Sequence, residues 1–137
     1  MGGLKISNAL KIVLIVTDSS FIHYWGLTGS MAFGLVTVPP EWLFSDYTDP
    51  NIVAWNWSFM PLDLLASPTG LIALRASQLG KIWRDETSIS LALTFCAGFT
   101  ALSFWIFQGS FDAGWWAPNL FLMLWPLFML PQVLTKP

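Results

Sequence analysis

Two carboxylates stand inside long apolar stretches of this chain. Asp18 lies in Val-Thr-Asp-Ser-Ser, and Asp63 lies in Trp-Ser-Phe-Met-Pro-Leu-Asp-Leu-Leu. An acid carried to the centre of a bilayer costs about 2.5–3.5 kcal/mol on insertion scales, so acids in such places are candidates for function. Asp63 and Asp18 are the candidate catalytic residues. The competing reading for each is a carboxyl that keeps its proton and hydrogen-bonds a neighbouring helix. Thr17, Ser19 and Ser20 are local partners of that kind for Asp18.

Spacing suggests what Asp63 could meet. Asn56 precedes it by seven residues, which puts both on one face of a helix. With a rise of about 1.5 Å per residue, His23 lies about 18 Å along its helix from Lys11, and Asp63 about as far from Arg75. His23 and Asp63 can therefore lie level, with Asp18 one to two turns nearer the basic end. Asn119 falls at the depth of Asn56. The predicted arrangement is a polar seam, with Asn56 and Asn119 above, His23 and Asp63 in the middle and Asp18 below.

The chain has nine tryptophans. Seven of them (Trp25, Trp42, Trp55, Trp57, Trp105, Trp115 and Trp116) map to the half away from most of the basic residues. An interfacial aromatic belt accounts for such a bias. The alternative is a cavity walled by indole faces, whose quadrupole stabilises cations. An acid among aromatic rings suits two tasks: holding a cationic ligand, or protonating an alkene and shielding the carbocation. Candidate substrate-binding residues are Asn56, Asn119, Trp57, Trp105 and His23. Ala97, Gly98 and Ala101 read as a close-packing stripe beside Cys96, Thr100 and Ser103. One His, one Cys and two separated acids show no metal-ligand spacing, so neither a metal site nor a cofactor is predicted. No Ser-His-Asp motif or glycine-rich phosphate loop is present.

Helices must position these groups. Of 137 residues, 55% are hydrophobic and only 10% charged, and mean hydropathy is +0.60. A soluble domain carries about 25% charged residues, so lipid is the expected solvent. One cysteine excludes an internal disulfide, and six basic residues without a cluster argue against nucleic acid. Four stretches are long enough to cross, at about 9–36, 52–74, 88–107 and 116–134. Unpaired backbone is not tolerated in lipid, so all four are expected to be helical. Kinks are expected near Pro61 and Pro126, and Pro118 is placed in a first turn, where its missing N–H costs nothing. Lys5, Lys11, Arg75, Lys81, Arg84 and Lys136 fall on one side of a four-span arrangement, while Glu41, Asp46, Asp49 and Asp112 occupy the other. That segregation places both termini in the cytoplasm. The segment 37–50 reads as an interfacial loop, with a lid over a cavity as the alternative.

The stretches 17–25 (Thr-Asp-Ser-Ser-Phe-Ile-His-Tyr-Trp), 53–65 (Val-Ala-Trp-Asn-Trp-Ser-Phe-Met-Pro-Leu-Asp-Leu-Leu), 93–99 (Leu-Thr-Phe-Cys-Ala-Gly-Phe) and 115–122 (Trp-Trp-Ala-Pro-Asn-Leu-Phe-Leu) resemble the bacterial YvaD-like family of small multi-pass membrane proteins. The resemblance spans nearly the whole chain. It implies a four-helix membrane fold and no activity. His23 stands where an apolar residue is expected in that family.

The expectation is therefore an all-α integral membrane protein, a four-transmembrane-helix bundle forming one domain over 1–137 in the plasma (inner) membrane. Its partners would be membrane lipid and a hydrophobic small molecule of lipid or isoprenoid type, held in the acid- and Trp-lined pocket, with acid-catalysed cyclisation or isomerisation as the chemistry open to it. The rival is a proton-coupled small-cation transporter, working as a homo-oligomer because four helices enclose little space. A third reading is an accessory subunit packed against a larger membrane complex.

Overall fold

The computed structural model describes residues 5–44 and 46–135. Helices α1 (Asn8–Ala32), α2 (Pro50–Ser58), α3 (Met60–Gln78), α4 (Arg84–Gln108) and α5 (Ala113–Leu134) account for most of them, with one 3-10 turn at Pro40–Trp42 and no strand among the described residues. The helix ends have local causes. Side-chain oxygens of Ser7, Asp49 and Asp112 accept from the backbone N–H groups of Leu10, Asn51 and Gly114 at the starts of α1, α2 and α5, satisfying donors that have no partner within the helix. Gly80 and Gly109, at φ 67° and 72°, terminate α3 and α4 in the left-handed conformation that glycine adopts without penalty.

Three expectations are corrected. The second stretch is two helices that break at Phe59. Pro61 cannot donate the hydrogen bond that would carry the ladder through this point. The first helix ends at Ala32, four residues early, where Phe33 N–H turns back to the Gly29 carbonyl and Gly34 takes φ 69°. Pro118 is not in a first turn, because α5 starts at Ala113 under its Asp112 cap, and the helix continues through Pro118, Pro126 and Pro131.

The long helices alternate in direction. Ile6 N–H donates to Ser77 Oγ at the start of α1 and end of α3. Arg84, which opens α4, donates to the carbonyls of Val133 and Thr135 where α5 ends. In lateral order, α3 lies between α1 and α4, and α4 between α3 and α5, with α1 also touching α5. The start of α1, the α3–α4 turn and the end of α5 thus share one end. A core of Leu10, Leu14, Ala73, Leu74, Trp83, Leu91, Trp125 and Val133 fills that end. A smaller cluster of Phe21, Ala66 and Ala97 sits further along.

Several polar side chains are buried beside the apolar core while many large apolar ones stand exposed. Buried positions include Thr17, Asp18, Asn56, Asp63, Ser67, Ser77, Thr87, Ser90 and Thr94, while Ile12, Val16, Ile72, Ile89, Ile106, Phe107 and Phe128 stand exposed. Apolar surface on this scale marks contact with lipid or protein. Helices α4 and α5 are long and apolar enough to cross a membrane. Their backbones pack tightly at Gly98, where an added Cβ would collide with the Asn119 carbonyl oxygen and lie 2.6 Å from Met123 N.

Candidate functional site

Along α1, the buried positions Leu10, Leu14, Thr17, Phe21 and Trp25 recur every three or four residues, as one face of a helix must. The upper part of this face, with α2, α3, α4 and α5, encloses a cavity of about 310 Å³. Asp63 is in its wall and is only 6% exposed. Trp25 Nε1–H donates to Asp63 Oδ2 at 2.8 Å, while Asp63 Oδ1 is buried and has no hydrogen-bond partner. One oxygen is therefore fixed by the scaffold, and the other is left without a protein partner. Tyr24 also lines the cavity, and its hydroxyl donates to Asn56 Oδ1 at 2.8 Å. These two bonds connect α1 to both halves of the broken second rod.

Much of the remaining wall is aromatic. Trp55 stacks on Phe104 with centroids 4.1 Å apart and meets Trp105 edge-on at 5.4 Å. On the other side, Trp115 packs against Tyr24 and Phe44 at 6.2 and 6.1 Å. Phe44 comes from the segment between α1 and α2, and the Leu43 carbonyl accepts from Trp115 Nε1 at 3.4 Å. That segment contributes directly to the cavity wall, as a lid would. Ala97 and Ala101 leave the space that the rings surround.

The seven residues singled out from sequence divide into two groups. Asp63, Asn56, Asn119 and Trp105 line the cavity together. Asn119 Nδ2 donates to the Trp115 carbonyl one turn earlier in α5. Trp57, His23 and Asp18 are not among the lining residues. Trp57 packs behind the wall, its ring 5.6 Å from that of Trp25. His23 is exposed and its Nδ1 bonds the Ser19 carbonyl of its own helix at 2.7 Å. Two residues beyond Phe21 corresponds to about 200° of helical rotation, so His23 points away and makes no pair with Asp63. Asp18 is fully buried below the cavity, where Ser67 Oγ reaches its backbone carbonyl at 3.2 Å. On α4, Cys96 and Thr100 are exposed, and Ala97, Gly98 and Ala101 form the packed face.

Sequence reasoning missed Tyr24, Trp25, Phe44, Trp55 and Trp115 as site residues. Trp25 was available from the three-and-four spacing of α1. Phe44 left no local signal, because a loop residue enters a wall only through the path of the folded chain.

The fold and site define a class: an all-helical protein with lipophilic outer surfaces around a cavity lined by aromatic rings and one carboxylate. The chain belongs to a family of unknown function (DUF5360), which it matches over residues 10–137. It is 41% identical over 128 residues to the "Uncharacterized protein YvaD" of Bacillus subtilis (strain 168), covering 93% of this chain and 92% of that protein. No solved structure matches it.

Proposed function

We propose that this protein is a four-span bundle of the plasma membrane, with both termini in the cytoplasm, that holds a small hydrophobic ligand bearing one donor or cationic group against Asp63. The observation that carries this reading is the Asp63 carboxyl in the wall of a cavity rich in aromatic rings, with one oxygen held by Trp25 and the other buried without a partner. Support for the four spans comes from the buried polar side chains and the many large apolar side chains on the outer surface. Lys5, Lys11, Arg75, Lys81 and Arg84 lie at one end of the bundle and Glu41, Asp46, Asp49 and Asp112 towards the other, the bias expected of a cytoplasmic basic face. Lys136 lies outside the described residues.

Size narrows the ligand. Pockets for drug-sized molecules run from about 300 to 1,000 Å³, so this one, at about 310 Å³, takes a compact group or a single isoprenoid-like segment. Inside it, Asn56, held by Tyr24, orients the ligand, and Asn119, Trp105 and Trp55 complete the wall. Acid-catalysed isomerisation or cyclisation is the chemistry open to the site, with Asp63 as proton donor.

The test is mass spectrometry of small molecules that copurify with detergent-extracted wild type and Asp63→Asn. A specific lipid or isoprenoid present in the wild type and lost from the variant is the expected result. No bound species in either protein overturns the reading.

The second reading, proton-coupled export of a small cation, is favoured by the unpartnered Asp63 oxygen among indole faces. Proteoliposomes distinguish the two, because an exporter changes internal pH when a cation is added and a binder or isomerase does not.

A further inference from the structure

Below the cavity lies a second polar site that the proposed ligand does not use. Asp18 is 0% exposed, yet neither of its carboxyl oxygens has a hydrogen-bond partner. The carboxyl reaches from α1 into a gap that α3 leaves open at Gly70. A Cβ built at Gly70 would collide with Asp18 Oδ2, and Asp18 Cγ and Ser90 Oγ both lie 2.9 Å from that position. Through this gap the acid of α1 faces α4, although α3 lies between the two helices. Ser90 and Thr94 are 0% exposed and Thr17 is 2% exposed. The hydroxyls of all three are also unpartnered.

Asp18 and Ser90 converge at this gap, Thr17 directly precedes Asp18 and Thr94 lies one turn beyond Ser90, and these unused oxygens call for an occupant. A lone carboxylate in an apolar interior is too costly to persist, so it binds a proton, a counter-charge or a cation. Among the described residues, no side chain supplies that charge. Arg84, in the opening turn of α4, is engaged by two carbonyls of α5, and Lys11 and Arg75 are exposed. Water would satisfy the hydroxyls but leave the charge. An oxygen-only donor set suits a hard cation, and one carboxylate balances a single positive charge, whereas a divalent ion would leave a net charge buried. No group of three His, Cys, Asp or Glu is present among the described residues, so a softer transition metal has no ligand set here.

We propose that Asp18 and Ser90, with Thr94 and Thr17, bind a monovalent alkali cation in the gap at Gly70. The site uses none of the residues proposed to hold the cavity ligand, and of its four members Thr17 alone also lines that cavity.

Thermal unfolding of the full chain in detergent tests this, titrating sodium chloride against N-methylglucamine chloride at constant ionic strength. Wild type is expected to gain a saturable, sodium-specific rise in Tm. Asp18→Asn should lose it. Ser90→Ala should raise the half-saturating sodium concentration by at least about tenfold. Asp63→Asn should retain the effect, so failure of the cavity reading and of this one are separable. Absence of a sodium effect in the wild type overturns the proposal, as does an effect that survives Asp18→Asn. Stabilisation by acid with no cation dependence would assign the carboxyl a proton and also overturn it. Should Asp18→Asn not fold, unchanged half-saturation in both Ser90→Ala and Thr94→Ala overturns it equally.

Discussion

Trp25 Nε1 on α1 and Asp63 Oδ2 on α3 are joined by a buried 2.8 Å hydrogen bond between residues 38 positions apart. It ties the two helices together at the level of the cavity and fixes which carboxyl oxygen remains unpartnered. A donor to a carboxylate is among the stronger hydrogen bonds, and removing one partner leaves the other buried without compensation.

Trp25→Phe keeps an aromatic ring but removes the donor. We expect a destabilisation of about 1–3 kcal/mol, read as a lower Tm in detergent. In a double-mutant cycle with Asp63→Leu, which removes the acceptor, the two changes should be clearly non-additive. Additive effects would show that the bond contributes nothing.

Gly98 and Gly26 make a contrasting pair. Alanine at Gly98 must displace backbone of α5, whereas nothing lies within 4 Å of a Cβ at Gly26. Gly98→Ala should therefore fall at the upper end of the about 1–3 kcal/mol typical of overpacking, while Gly26→Ala should be neutral or slightly stabilising, by up to about 1 kcal/mol. Equal Tm values for the two variants would contradict the close α4–α5 approach.

His23 and Trp57 test the boundary of the site. His23→Leu should change stability by no more than about 0.5 kcal/mol and leave any copurifying ligand bound. Trp57→Phe should also leave the ligand bound, because its ring stands behind Trp25. Trp55→Ala removes a stacked wall residue and should release it. Loss of ligand in His23→Leu with retention in Trp55→Ala would move the site elsewhere.

Much of this arrangement was legible in the residues. The seven-residue spacing of Asn56 and Asp63 put both on one face, and both line the cavity even though the rod breaks between them at Phe59. Asn119 was placed beside Asn56 by depth alone, and it lines the same cavity. Depth along a helix follows from counting residues, because the rise is constant. Rotation about the axis is harder to read, and there the expectations for His23 and Trp57 diverged from the fold. The side chain of each leaves its helix on a side set by packing.

The sequence alone determined the helical class, the apolar character of the helices and the shared depth of Asn56 and Asn119 at the cavity. These depend on composition and on the fixed geometry of a helix. Only the tertiary structure decided which groups meet. Trp25 reaches Asp63 because α1 and α3 pack antiparallel, and Asp18 faces Ser90 because Gly70 has no side chain to stand between them. Contacts between helices depend on the shapes of residues far apart in the chain, and no local pattern records them.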